Sequence, residues 1–437
     1  MVERHLAKVN VASSNLVFRS IAEFRKDSVF LFLRRFFTMI LEEKLQTQII
    51  DKYDVAVCGG GFAGISAALA SARMGKKTVL FEKQYMLGGL ATAGLITIYL
   101  PLCDGMGHQV SFGIAEELFK LSIELGAEAE YPENWLDGKG TKTENDPRYR
   151  VRYNAQNFAI LSEKLLLKEG VDIIYGAYAV GTNVECDKIK HVVIEGKSGR
   201  CAYSVSSVVD ATGDCDIAKF ADAPTDTFRQ GNILAAWYYS SGKEGYNLNT
   251  MGVADIPDEE KTDENEIEYI SNRRFGGLET EEISKMVCMS HTSIYNDVSN
   301  KRKDDSTYFP VTIATVPQIR MTRKIVGEYE LSHLEMHKYF EDSIGMVSDW
   351  KKRGPIYEVP FRTLYSNKVK NLICAGRCTS TNETLWDVMR VIPCCAVTGQ
   401  AAGTAAAMTD DFTTLDVITL QEQLVKDGVV LHESEIL

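Results

Sequence analysis

Gly59-Gly60-Gly61-Phe62-Ala63-Gly64 fits the spacing G-x-G-x-x-G, and Glu82 stands 23 positions after Gly59. At those spacings Gly59 would permit a tight turn, Gly61 would let backbone approach a pyrophosphate, and Gly64 would let a helix pack closely on a strand. Free N–H groups at the helix start, with the positive end of its dipole, would hold the phosphates. Glu82 would accept hydrogen bonds from the ribose hydroxyls of an adenosine. The flanking elements fit this chemistry. Asp54–Cys58 is a short apolar run with the character of a buried parallel strand. Ile65 through Met74 reads as a helix capped by Gly75, and Lys77 to Phe81 as a second strand. A glycine motif alone is weak. Strand, glycines, helix, strand and acid in that order specify a dinucleotide site.

This unit serves FAD and NAD equally, because both carry the ADP half. Two further segments point to FAD. Leu87-Gly88-Gly89-Leu90-Ala91-Thr92 supplies a second glycine pair, positioned for backbone to reach the rest of the dinucleotide. Val208-Val209-Asp210-Ala211-Thr212-Gly213-Asp214 reads as a strand ending in a small-residue turn, which leaves room for a cofactor to pass.

With these motifs, the sequence resembles the FAD-dependent oxidoreductases of the glutathione-reductase-type flavoprotein superfamily. It is most similar to a bacterial group carrying an ATGD turn and an AGR…GQAAG segment. The resemblance runs from about Tyr53 to about Asp410, through GGGFAG at 59–64, LGGLAT at 87–92, DATGD at 210–214, NLICAGR at 371–377 and TGQAAG at 398–403. It implies non-covalent FAD and a Rossmann-like α/β domain with a small β-meander. The mixed, less periodic patterning from Ala223 to about Arg362 reads as an inserted, mixed α+β substrate domain. Gly59, Gly61, Phe62, Ala63 and Gly64 match the pyrophosphate loop, Glu82 the ribose acid, and Lys83 a basic residue near the adenosine. Gly88, Gly89, Leu90, Ala91 and Thr92 match the second loop, and Ala211, Thr212 and Gly213 the turn beside the cofactor. Gly376 matches the glycine near the ribityl chain. Arg377 stands where many relatives place an aspartate, so no ribityl-binding acid is assumed. Cys394, Ala396 and Gly399 fall in the helix that, in similar flavoproteins, aims its N-terminus at the pyrimidine edge of the flavin. Pro393 suits that helix's first turn, and the resemblance is silent about substrate.

Candidate catalytic groups are Arg390, Arg320, His108 and His291. Arg390 would add positive charge beside the flavin or bind substrate; its bland alternative is an ion pair with Asp387. Arg320, with Arg323 and Arg362, would suit a carboxylate or other anion, unless these arginines simply pair with the abundant acids. His108 and His291 have the side-chain pKa for proton transfer near neutrality, although each alone is as readily structural.

Several motifs are rejected. Gly196-Lys197-Ser198-Gly199 invites a phosphate-loop reading, but the required first glycine is His191, so it is a hairpin turn. His333 and His337 bracket Glu335, yet a zinc helix needs its glutamate at Leu334. The ten cysteines lack the short runs of an iron–sulfur site, and only Cys103 follows the second glycine motif where a redox pair would sit. They read as buried apolar thiols, and no metal site is expected.

Gly113 to Leu125, Ala155 to Glu169 and Gln318 to Phe340 read as helices, with a capping box at Ser332, and Val171 to Tyr175 as a strand. Of 437 residues, 60 are acidic and 48 basic, a net charge of −12 that opposes binding to a phosphate backbone. No run of 18 apolar residues suggests a membrane span. The expectation is a soluble, reduced, cytoplasmic protein of unassigned oligomeric state. The first 38 residues depart from this, with seven Lys/Arg against three Asp/Glu. They read either as a basic amphipathic segment or as sequence ahead of a true start at Met39, the latter preferred. The expected division is an extension at 1–50, an FAD-binding part at 51–222, an inserted substrate domain at 223–364 containing the acidic stretch Asp255 to Glu268, and a second FAD-binding part with tail at 365–437. The expected activity is hydride transfer between flavin N5 and a small organic substrate, anionic if the arginines converge on its pocket, with an unidentified electron donor or acceptor. The alternative is an electron-transfer flavoprotein subunit serving a partner protein; a third reading is a binding protein whose FAD is structural.

Overall fold

A computed structural model describes residues 41–128, 150–253, 255–262 and 267–437. The extension at 1–38 and part of the acidic stretch therefore lie outside the described residues. The chain divides into Met1–Gln46, of which the described residues 41–46 are exposed, and the body Thr47–Leu437.

The body is mixed α/β, built on a seven-stranded sheet. Five strands run parallel, in the order Asp172–Tyr175, Thr78–Glu82, Gln48–Cys58, Gly199–Asp210 and Leu372–Cys374. Strand Gly199–Asp210 has two partners in succession. Its first half pairs antiparallel with Lys188–Gly196, which pairs in turn with Tyr178–Glu185; its last three residues pair with Leu372–Cys374. The meander and the parallel sheet thus share one strand, and the turn between Gly196 and Gly199 is the expected hairpin. Strand Gln48–Cys58 begins six residues before the apolar run because Gln48–Tyr53 pair with Cys201–Val205, a long-range partner.

Small antiparallel pairs surround this sheet. Tyr238–Gly242 lies between Gly245–Asn249 and Phe309–Ile313; Thr225–Thr227 pairs with Arg323–Ile325, and Ser343–Ser348 with Ile356–Pro360. Helices Ile114–Ile123 and Ala155–Lys168 form close to expectation. The long helix expected over Gln318 to Phe340 does not form. That stretch holds the strand Arg323–Ile325 and a short 3-10 turn, His333–Glu335, which carries the capping box at Ser332. The amides a helix would use are committed elsewhere: Asn232 Oδ1 accepts from the N–H of both Arg320 and Met321.

Helix Phe62–Arg73 follows the first strand and packs against helix Ile392–Met408. The second helix is apolar on every side and buried along almost its whole length, as a core helix must be. The two backbones touch. A Cβ on Gly399 would lie 2.3 Å from the Ala63 carbonyl oxygen, and one on Gly403 2.1 Å from that of Ala67. Among the described residues no single helix is long and apolar enough to cross a membrane.

Candidate functional site

One cavity of about 450 Å³ runs along the strand ends of the parallel sheet. Its wall collects the motifs that are far apart in sequence: Cys58–Ala63, Phe81–Gln84, Gly88–Ala91, Ala211–Asp214 and Ala375–Arg377.

Short backbone bonds bring these turns together. The N–H of Gly88 donates to the Gly60 carbonyl at 2.8 Å, that of Ala211 to Cys58 at 2.9 Å, and that of Ala375 to Asp210 at 3.0 Å. Gly59, at φ +103°, has its missing Cβ 2.4 Å from the Ala211 oxygen, so only glycine permits that approach. Gly61 differs: a Cβ there would meet nothing within 4 Å and would project into open space. Gly61 also precedes helix Phe62–Arg73, whose first N–H groups have no side-chain cap. Phe62 lines the wall and stacks on Phe158 at 4.3 Å. Glu82 is buried, and its two oxygens accept from the N–H of Gly60 at 2.6 Å and Gln84 at 2.7 Å. Burial pushes its pKa up, against the pull of those N–H groups and Lys83. Each oxygen keeps a second lone pair for a ribose hydroxyl.

Gly64, Thr92, Cys394, Ala396 and Gly399 stand outside the cavity wall and support it from behind. Gly64 lets its helix rest on the Gly59 carbonyl, where a Cβ would come within 1.8 Å. Thr92 Oγ1 donates to the Leu87 carbonyl, and Cys394 Sγ faces the Val388 carbonyl. Cys395, one position further along the helix, is the cysteine that reaches the cavity. The same end of the cavity holds Arg390, Val391 and Ile392, the uncapped start of helix Ile392–Met408.

The four catalytic candidates separate. Arg390 and Arg320 line the cavity; His108 and His291 do not. His108 Nδ1 bonds Asp104 Oδ2 at 2.9 Å inside a closed loop, and His291 is exposed on helix Thr280–Asp304. Arg390 forms the expected ion pair with Asp387, but the pair is buried and Lys351 shares it, 2.6 Å from Asp387 Oδ2. Burial would raise the Asp387 pKa; the charges of Arg390 and Lys351 prevail and lower it. Arg323 and Arg362 do not converge on the cavity. Arg323 is paired with Asp216 and Arg362 with Asp342.

Arg377 faces the cavity, yet both of its Nη groups are engaged with protein. Nη1 donates to the carbonyls of Ile319 and Arg320 at 2.6 and 3.1 Å, and Nη2 approaches Asp214 Oδ1 at 3.4 Å. It straps the ATGD turn to the segment that carries Arg320. The sequence reading missed Asp214, Asp216, Cys395 and the apolar residues Ile96, Ile98, Leu100, Val316, Pro317 and Ile319, all in the wall. The acids were visible in D-A-T-G-D-C-D; the apolar residues carry no local signal. Burial, with Asp214 and Asp210 nearby, raises the pKa of Asp216 to about 6 despite Arg323 and Lys83.

Behind the turn, Cys215, Cys374 and Asp210 lie together, fully buried. Asp210 accepts from the Thr212 hydroxyl at 2.6 Å and the Ala218 N–H at 2.9 Å, which fixes the turn. Burial keeps the thiols of Cys215 and Cys378 well above their ordinary pKa, and none of the ten cysteines forms a disulfide.

A parallel sheet whose glycine turns line one cavity at the strand ends is the arrangement of a dinucleotide-binding fold. The chain belongs to the FAD dependent oxidoreductase family, which it matches over residues 54–236 and 238–424. FAD is the cofactor that family implies, and the open space at Gly61, the free helix start and buried Glu82 fit it. The chain is 27% identical over 208 residues to the tRNA uridine 5-carboxymethylaminomethyl modification enzyme MnmG 1 of Fusobacterium nucleatum, covering 44% of this chain and 29% of that protein. It is 64% identical over 33 residues to the MnmG of Aquifex aeolicus, 8% of this chain and 5% of that one. The chain thus spans less than a third of the length of these curated relatives. Among solved structures it resembles a geranylgeranyl bacteriochlorophyll reductase-like protein of Thermoplasma acidophilum, with TM-score 0.45, 15% identity and coverage of 86% and 84%. It also resembles the p-nitrophenol 4-monooxygenase PnpA of Pseudomonas putida, with TM-score 0.42, 12% identity and coverage of 86% and 98%.

Proposed function

We propose that this FAD-dependent oxidoreductase exchanges a hydride with a small, anionic organic substrate that enters the cavity beside Arg320 and Arg390. The observation that carries the reading is the pairing, in one cavity, of the glycine turns and buried Glu82 with two guanidinium groups, Arg320 buried and Arg390 partly so. Bound FAD would supply the redox chemistry at N5. The chain's own residues do the rest. The Gly61 loop and the start of helix Phe62–Arg73 hold the pyrophosphate, and Glu82 holds the ribose. At the other end, the free N–H of Ile392 at the helix start and the Arg390 charge would favour negative charge on the flavin's pyrimidine edge. Residues 223–364 act as the cover: Gly277, Ile283 and Val316–Arg320 exclude water and orient substrate. His108 and His291 have no part in proton transfer.

A role on tRNA, the activity named for the relatives, is not carried over. The alignment reaches too little of those proteins, and a net charge of −12 opposes a phosphate backbone. The test is anaerobic: purified holoprotein is mixed with a panel of organic acids and the flavin absorbance is followed. Bleaching by one acid, without a protein partner, supports the reading. Reduction only through another protein points instead to an electron-transfer subunit.

A further inference from the structure

Arg320 is a buried cation without an anion. It is 7% exposed, its Nη2 donates to the Gly252 carbonyl at 3.0 Å, and its guanidinium lies 5.7 Å from the Trp237 ring centroid. Among the described residues no carboxylate pairs with it. The acids whose charge it feels, Asp387 and Asp255, are already paired, the first with Arg390 and Lys351 and the second with Arg274. Burial, reinforced by the like charge of Arg390, pushes the Arg320 pKa down to about 9. Arg390 and Lys351 already share the single charge of Asp387, so that carboxylate has none to spare for Arg320, and a buried cation left unanswered favours an anion beside it.

The position of Arg320 is built. Asn232 Oδ1 accepts from the N–H of Arg320 and of Met321, both at 3.0 Å, while Nδ2 donates to the Phe275 and Met321 carbonyls. Gln318, two residues earlier, is buried between the Trp237 N–H and the Gly94 carbonyl. Around this fixed fork the wall is apolar: Ile96, Ile98 and Leu100, with Val316, Pro317 and Ile319. Arg390 offers no equal fork, because its Nε and Nη2 both serve Asp387.

Resting on the proposed function above, we infer that Arg320 is the specificity-determining residue for a monocarboxylate with an apolar body. The carboxylate sits on the guanidinium and the body on the aliphatic wall. A planar fork takes a carboxylate in two parallel hydrogen bonds, and an uncharged analogue leaves the cation unanswered.

The test uses the FAD-loaded protein and measures binding by flavin absorbance and calorimetry. Benzoate should bind at least about tenfold more tightly than benzamide, and inorganic phosphate more weakly than benzoate. Arg320→Gln should lose at least about tenfold for benzoate, leave benzamide unchanged and keep its FAD; Arg320→Lys should recover part of the loss. Equal binding of benzoate and benzamide by the wild type, or no binding of either, overturns the inference without any variant. Tighter phosphate binding also overturns it. So does an Arg320→Gln protein with unchanged benzoate affinity but a lowered flavin potential, which would assign the guanidinium to the flavin. Failure of the wild type to hold FAD would be a failure of the functional reading itself.

Discussion

The two walls of the cavity are made of different material. On the sheet side, Gly59, Gly61, Gly88 and Gly376 present backbone, and neighbouring turns lie within hydrogen-bond distance of one another. On the proposed cover side, Val316, Pro317, Ile319 and Arg320 present side chains; Asn232 holds the Arg320 backbone, and Gln318 ties the segment to Trp237 and Gly94. Backbone recognises what every dinucleotide shares, its phosphates and its length. Side chains recognise what distinguishes one substrate from another. The sheet side therefore tolerates almost no change in glycine positions, whereas the cover side should tolerate substitution at a cost in selectivity alone.

The largest effect is expected where glycine separates two backbones. Gly64→Val and Gly399→Val force a side chain to within 1.8 and 2.3 Å of a carbonyl oxygen. Each should cost at least about 3 kcal/mol. Thermal unfolding followed by circular dichroism should show the melting transition collapse; a native-like transition would mean, for Gly399→Val, that the two helices can part freely and, for Gly64→Val, that the helix can lift off the Gly59 turn. Next comes the charge at the join of the two walls. Arg390→Met leaves Asp387 paired with Lys351 at 2.6 Å, so the protein should fold and bind FAD. Its flavin potential should fall and its turnover drop by about tenfold or more, the equivalent of ~1.4 kcal/mol of lost stabilisation. Spectroelectrochemistry that finds the potential unchanged would reduce Arg390 to a structural charge.

Smaller still is the pH response of Asp216. Its pKa is raised from 3.8 to about 6 on folding, so its favourable contribution is present below about 3.8 and is lost as pH rises through about 6. In the apoprotein, Asp216→Asn removes that titration, and the variant's melting temperature should move upward relative to wild type between pH 4 and pH 7. A difference that stays flat or moves the other way would show that Arg323 alone governs Asp216. The smallest effect belongs to the histidines. His108→Asn and His291→Ala should leave turnover within about twofold, since neither side chain reaches the cavity.

The same contrast explains what the sequence made legible. GGGFAG, LGGLAT and DATGD are each contiguous, because a turn that offers backbone to a phosphate is built by the residues of that turn. The parallel strands beside them were legible for a related reason, being short apolar runs ended by those turns. The cover was opaque because its order comes from distant partners. Gln318 to Phe340 has helical spacing, yet Asn232, nearly ninety residues earlier, takes the amides of Arg320 and Met321. Nothing near Arg320 in sequence indicates that it lacks a counter-ion, while Arg323 has Asp216. The cysteines were read as buried thiols, but Cys186 and Cys288 are exposed and Cys201 and Cys395 only partly buried, and helical phase decides that Cys395, and not Cys394, reaches the cavity.

The claim on which everything else stands is that backbone at Gly61 is left bare for a cofactor. Wild type and Gly61→Leu should be purified side by side, their chromophore released by denaturation and identified, and their melting temperatures compared. A Cβ at Gly61 meets no protein atom within 4 Å and opens into the cavity, so the fold should survive the substitution. The wild type should release about one FAD per chain, and the variant should be colourless, its apoprotein melting with the wild-type apoprotein. A Gly61→Leu protein that keeps its full complement of FAD would contradict the claim.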